Sequence, residues 1–79
     1  MMYRLKFIYN DSTATQTEYY SGGTYQFQGE KYACISGSLS NAKLFKSHKT
    51  AESEYNKLHS SCVNVPNDYE IENCSSHIL

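Results

Sequence analysis

The sequence has no tryptophan, one proline, four glycines and no long apolar segment. A membrane-spanning helix needs about 18–20 consecutive apolar residues, and nothing in this chain approaches that length. The first residues include Arg4 and Lys6, but the continuous apolar segment of a signal peptide does not follow them. We therefore expect a cytoplasmic protein with no membrane association.

Neither positive nor negative charge is in excess. The formal net charge is −1 and the isoelectric point is about 6.2. Domains that bind nucleic acid non-specifically usually have an isoelectric point above about 9, so the overall charge does not support that activity. The same balance does not suggest a strongly acidic mimic of DNA.

The three cysteines are too few and odd in number for a secreted disulfide scaffold, so we expect free thiols. Structural zinc sites use paired ligands at short spacing, and Cys74 with His77 is the single such pair. We therefore expect no metal and no cofactor.

Catalytic motifs are missing as well. The chain has no G-x-S-x-G elbow, no phosphate-binding Walker loop and no G-x-G-x-x-G fingerprint. The carboxylate pairs Glu52/Glu54 and Glu70/Glu72 have spacings that predict solvated charge rather than a general acid and base. A chain of 79 residues also has little capacity to enclose a cleft of several hundred Å³. We expect that this protein is not an enzyme.

Period-two alternation of apolar and polar residues predicts strands in the first half of the chain. In the third of these segments we expect Tyr25 and Phe27 to face the core and Gln26 to face solvent. The Ser-Gly-Gly sequence at residues 21–23 predicts a turn. The predicted strands are residues 3–9, 15–20, 24–28 and 31–36.

The second half predicts one helix between two extended segments. Residues 42–45 form a short strand or an extended lead-in, and Ser47 is a good helix N-cap. The final strand follows Pro66, and if it lies beside the first strand, Arg4 and Lys6 face Glu70 and Glu72 as cross-strand pairs. One apolar stripe is predicted on the helix, formed by Ala51, Tyr55, Leu58 and Cys62.

These elements predict a single α+β domain over residues 1–79, with residues 74–79 as a flexible tail. The fold is an antiparallel sheet of about four to five strands, packed on one face by a single α-helix, in the order β-β-β-β-α-β. A domain of this size buries only about 60% of the surface that its unfolded chain exposes.

Two groups of residues are candidates for binding a partner. Tyr19 and Tyr20 are adjacent on a strand and must point to opposite faces, so one of them is exposed if the helix covers a single face. A short basic cluster leads into the helix N-terminus, where a phosphate or a carboxylate is favoured. The candidate partner-binding residues are Tyr19, Tyr20, Gln26, Gln28, Lys43, Lys46 and Lys49.

The block AKLFKSHKTAESEYNKL at residues 42–58, followed by YEIE at residues 69–72, resembles short accessory proteins of phages and mobile elements. In that pattern a Phe-Lys-Ser lead-in caps a single helix before a last strand. Several anti-CRISPR proteins are similar in size and in this sheet-plus-helix architecture. The resemblance covers the second half of the chain better than the first and implies no individual functional residue.

Three hypotheses for function are open at this point. The first is a non-enzymatic protein-interaction module, implied by the resemblance to be an inhibitor that sterically blocks a CRISPR-type nucleoprotein complex in a bacterial host. The alternative is a small domain that binds single-stranded nucleic acid through sheet tyrosines and the Lys43–Lys49 cluster. The third is a subunit that dimerises through an edge strand of its sheet.

Overall fold

The computed structural model describes residues 2–10 and 13–74, and these form one four-stranded antiparallel sheet with one α-helix. The strand order is β3-β2-β1-β4, which confirms the predicted α+β class and the single covering helix. Of the predicted tail, residues 75–79 lie outside the described residues. The elements are β1 (Tyr3–Asn10), β2 (Thr15–Phe27), β3 (Glu30–Ser36), a 3-10 turn (Leu39–Asn41), α1 (His48–Ser61) and β4 (Asp68–Asn73).

The core lies between α1 and one face of the sheet. On β1, Leu5 and Phe7 are completely buried, and the residues between them and on either side point away from the core. The predicted helical stripe is confirmed, because all four of its members are buried against this face. These are Ala51, Tyr55, Leu58 and Cys62.

Side-chain contacts at the start and in the middle of α1 hold it in place. The Ser47 hydroxyl accepts a hydrogen bond from the Thr50 amide at 3.1 Å, which confirms the predicted N-cap. In the middle of the helix, the Tyr55 ring stacks on Tyr69 of β4 with centroids 3.6 Å apart, and its hydroxyl donates to the Pro66 carbonyl at 2.6 Å. No helix in the described part of the chain is both long and apolar enough to cross a membrane.

The segments predicted as two strands around residues 21–23 form one strand, so the predicted turn is wrong. β2 runs through 13 residues, and its register against β3 shifts between Tyr20 and Thr24. Gly22 and Gly23 have φ of +98° and +87°. Glycines with positive φ suit a bulge as well as a turn, and here the chain bends without reversing direction.

The extended lead-in before α1 fills the space that this bend opens beside β1. The Lys43 amide donates to the Tyr20 carbonyl at 2.8 Å, and Phe45 exchanges two backbone hydrogen bonds with Tyr3 at 2.7 and 2.8 Å. These bonds satisfy backbone groups that β1 and β2 no longer share. Phe45 is thereby inserted into the core, where it is 5% exposed.

The loop after α1 covers part of the outer edge of β3. The Val63 amide donates to the Lys31 carbonyl at 2.9 Å. The Asn64 side chain accepts from the Ala33 amide and donates to the Ala33 carbonyl, at 2.9 and 3.0 Å. Because this edge is partly paired within the chain, it offers less free backbone for dimerisation through β3.

Candidate functional site

The sheet face opposite α1, called the outer face below, carries a small ionic network where β1 meets β4. Arg4 pairs with Glu72 and Lys6 with Glu70 in the strand register. The Arg4 Nε donates to Glu72 at 2.7 Å, and the Lys6 Nζ lies 3.2 Å from Glu72 and 3.4 Å from Glu70. The predicted cross-strand pairing of these four residues is confirmed.

Glu72 is the centre of this network. Partial burial alone raises the pKa of its carboxyl group, but hydrogen bonds from Arg4 and Lys6 and their positive charges together outweigh burial, so the pKa is lowered. Its negative charge is therefore held by two cations of the same face. Arg4 and Lys6, the two cations of β1, are both ion-paired with Glu72.

The other half of the outer face carries aromatic rings on β2 and β3. Tyr19 is paired with Ser36, and Tyr25 is paired with Tyr32. Because Tyr32 and Ser36 are four residues apart on β3, their side chains and those of their partners share one face. The Tyr25 and Tyr32 rings stack with centroids 5.4 Å apart and an interplanar angle of 15°. We call the rings of Tyr19, Tyr25, Phe27 and Tyr32 the aromatic surface.

The expectation that Tyr25 and Phe27 face the core is wrong. Their side chains are 51% and 58% exposed. The expectation treated residues 24–28 as a separate strand whose apolar residues must point inward. Because β2 is continuous, Tyr20 sets the phase of alternation, and the even-numbered Thr24 and Gln26 share its face while Tyr25 and Phe27 take the outer face.

The β2–β3 hairpin ends in a two-residue turn, and its two sides differ in chemistry. Gln28 and Gly29 have φ of +51° and +82°, which is the left-handed backbone that the tight type I′ hairpin turn requires. Phe27 is paired with Glu30 on the outer face, and Gln26 is paired with Lys31 on the opposite face. The ring-bearing side of the hairpin end therefore carries a carboxylate, and the other side carries an amine.

Tyr20, one of the predicted partner-binding residues, is part of the core. It is 2% exposed, and its ring stacks on Phe45. Its hydroxyl accepts from the Gly23 amide at 2.9 Å and donates to Glu54 at 3.2 Å, while burial raises the pKa of this hydroxyl. A residue this deeply buried does not present its ring to a partner. Its neighbour Tyr19 is half-buried on the outer face, with the Arg4 guanidinium carbon 5.6 Å from its ring centroid.

The remaining predicted residues are exposed, but the structure does not gather them into one site. Gln26 and Gln28 lie at the hairpin end, with Gln26 on the face opposite Tyr25. Lys46 is exposed between the lead-in and α1, and the Lys43 Nζ lies 5.3 Å from the Phe45 ring centroid. Lys49 borders a shallow cleft of about 310 Å³ on the exposed side of α1, together with Thr50, Ser53, Glu54 and Lys57.

No group of three histidine, cysteine, aspartate or glutamate side chains in residues 2–10 and 13–74 is arranged to hold a metal ion. Cys62 is buried in the core, and the Cys74 Sγ contacts the Met2 carbonyl at 3.3 Å. His77 lies outside the described residues.

Tyr9 has the largest pKa shift among the tyrosines, and its contacts give it a structural role. Burial, and to a smaller degree the charge of Glu18, raise the pKa of Tyr9 to about 12. The Tyr9 hydroxyl donates to the Asn64 carbonyl at 3.0 Å. This bond fixes the loop after α1 against the sheet.

No family model, curated protein or solved structure matches this chain. The function therefore has to be argued from the geometry of the molecule.

Three of the four rings of the aromatic surface were not predicted from the sequence to bind a partner, namely Tyr25, Phe27 and Tyr32. Glu30, which lies beside them, was not predicted either. One signal in the sequence could have found them. Gln28-Gly29 between two alternating segments indicates a two-residue hairpin, and that turn pairs Phe27 with Glu30 and Tyr25 with Tyr32 on one face.

Proposed function

We propose that this chain is a non-enzymatic protein-interaction module that binds its partner through the aromatic surface. One observation carries the proposal: Tyr25 and Phe27 are more than half exposed at the end of the β2–β3 hairpin, on the sheet face opposite α1. Aromatic residues are enriched at protein interfaces, where a ring fills a pocket of the partner and polar groups form the rim. Gln28 and Glu30 supply that polar rim here.

The rings are held before a partner arrives. Tyr25 and Tyr32 stack across the strands, and the two-residue turn fixes the register at the hairpin end. Asn64 ties Ala33, the residue after Tyr32, to the loop that follows α1. Because the Tyr25 and Tyr32 rings and the hairpin backbone are already ordered, binding through them incurs a small entropic penalty.

A protein partner is favoured over a nucleic acid by the charges near the rings. Glu30 lies beside Phe27, and the nearest cations of the outer face, Arg4 and Lys6, are paired with carboxylates. Lys49 belongs to α1, on the other side of the sheet. A phosphate backbone following the stacked rings would therefore meet a negative charge and, among the described residues of the outer face, no unpaired cation.

For the class of partner, we propose a host defence nucleoprotein complex in the bacterial cytoplasm, of the CRISPR type. Support comes from the small size, the sheet-plus-helix architecture and the resemblance of residues 42–58 and 69–72 to accessory proteins of mobile elements. Binding would block such a complex sterically, by occupying a surface that the complex uses for its nucleic acid.

The test is a comparative capture experiment from extracts of the cells in which the protein is made. Three immobilised baits are used: the wild-type chain, the double variant Tyr25→Ser with Phe27→Ser, and the control Gln26→Ser with Lys31→Ser. The control changes the same hairpin on its other face. We expect at least one protein that is retained by the wild type and the control and is depleted more than about tenfold with the ring variant.

Identical sets of proteins on all three baits would overturn the proposal. Circular dichroism of each bait shows that it is folded before the capture. Nuclease treatment of the extract removes retention that depends on nucleic acid, and a partner lost with that treatment would instead favour the nucleic-acid hypothesis.

A further inference from the structure

The outer face already contains one arginine site, made by the chain for itself. The guanidinium of Arg4 lies over the ring of Tyr19, with its carbon 5.6 Å from the ring centroid, and its Nε donates to Glu72 at 2.7 Å. A ring face and a carboxylate thus bind the same cation. Both interactions favour arginine, because its planar guanidinium stacks on rings and forms directed bonds to carboxylates.

The hairpin end repeats the ring and the carboxylate of this arrangement. Phe27 and Glu30 are directly paired across the strands, which places their Cβ atoms about 4.5–5.5 Å apart. The stacked rings of Tyr25 and Tyr32 form the next pair along the same face. Glu30 is exposed and makes no ion pair within the described residues, and Lys31 points to the opposite face.

The outer face as a whole carries an excess of negative charge, the same sign as the charge of Glu30. Along β3 and β4 it carries four carboxylates, and along β1 it carries two cations, both of them ion-paired. A face with an excess of negative charge attracts a basic surface and repels phosphate. The four carboxylates are those of Glu30, Asp68, Glu70 and Glu72.

We infer that the end of the β2–β3 hairpin is a guanidinium site, whose occupant is an arginine side chain from a basic segment of the partner protein. This inference rests on the proposed function and adds the chemistry of the contact. The arginine stacks on the rings of Phe27 and Tyr25, and Glu30 accepts its hydrogen bonds. Lysine fits less well, because its ammonium is strongly hydrated and has no planar face for stacking.

The test uses capped ten-residue peptides in which serine alternates with arginine, lysine or glutamate. Each is titrated into the full chain labelled with ¹⁵N at low ionic strength, and amide chemical shifts are followed. We expect the arginine peptide to shift residues 25–32 and to bind about two- to fivefold more tightly than the lysine peptide. The glutamate peptide should leave these amides unchanged. Equal affinity for arginine and lysine, or shifts centred on Glu70 instead of Glu30, would overturn the inference.

Two variants that each remove one negative charge distinguish a specific site from non-specific attraction. Glu30→Gln should weaken binding of the arginine peptide by about two- to fivefold, whereas Glu52→Gln, which removes the same charge from the exposed side of α1, should leave it within experimental error. Equal weakening by both variants would show non-specific attraction and contradict the site. If the arginine peptide fails while the capture experiment still yields a ring-dependent partner, the guanidinium site is wrong and the proposed function stands.

Discussion

At the scale of single residues, neighbouring side chains on a strand have different environments, because successive side chains point to opposite faces of the sheet. Tyr19 and Tyr20 are equivalent in the sequence, and alternation alone predicts that they point in opposite directions. Which of them is buried depends on where α1 packs, and this is a tertiary contact. The structure buries Tyr20 and leaves Tyr19 on the outer face with Arg4.

The ion pairs of the outer face give a prediction for stability against pH. The pKa of Glu72 is lowered in the folded chain, so its charged form stabilises the fold above the ordinary value of 4.5. This contribution is lost as the pH falls below 4.5 through the lowered pKa. At pH 7 we expect Glu72→Gln to reduce the free energy of unfolding by about 0.5–1 kcal/mol, the scale of a partly exposed ion pair.

Urea unfolding of the wild type and of Glu72→Gln at pH 7 and at pH 3 measures this difference. The two proteins should differ at pH 7, and the difference should diminish at the lower pH as Glu72 takes up a proton. Glu52→Gln serves as the control, because Glu52 is exposed on α1 and has no ion pair among the described residues. A difference for Glu72→Gln that stays constant over this pH range would contradict the assignment.

At the scale of elements, the bend in β2 decides how the hairpin that carries the aromatic surface is placed. The bend lets residues 42–45 insert beside β1, and beyond it Thr24, Gln26 and Lys31 are exposed although they lie on the face against which α1 packs. The sequence predicts the separate pieces well: the strands, the N-cap at Ser47 and the helical stripe all have local signatures. The continuity of β2 could not be predicted, because Ser-Gly-Gly is compatible with a turn and with a bulge.

Alanine substitutions at the bend test its role. Gly22→Ala and Gly23→Ala should each destabilise the fold by about 1–2 kcal/mol, because an alanine resists positive φ. The effect should be similar at the two positions, because a Cβ at Gly22 would lie 3.4 Å from the flexible Lys43 side chain, an ordinary contact, and at Gly23 no heavy atom lies within 4 Å.

Gly37→Ala is the matched control for these variants. Its φ is not positive, and a Cβ there would meet only the Glu18 Oε1, at an ordinary contact distance of 3.6 Å. Its stability in thermal and urea unfolding should stay within about 0.5 kcal/mol of the wild type. Equal losses at all three glycines would show that the bend has no special conformational requirement.

At the scale of the whole molecule, the two faces of one small sheet differ in composition and in role. The face under α1 holds the described core, and the outer face combines ion pairs at one side with exposed rings at the other. The sequence predicts this division only in part. It indicates that one helix covers one face, but the phase that turns Tyr25 and Phe27 outward follows from the continuity of β2 with Tyr20, which no local pattern reveals.

The central claim is that the ring-bearing face of the hairpin contacts the partner. Site-specific photo-crosslinking tests it most directly, with p-benzoylphenylalanine replacing Tyr25 in one protein and Gln26 in another. These neighbours are both exposed and lie on opposite faces of the same strand. We predict that irradiation in cells links the partner to position 25 and not to position 26. A partner linked to position 26 alone, or equally to both positions, would contradict the account.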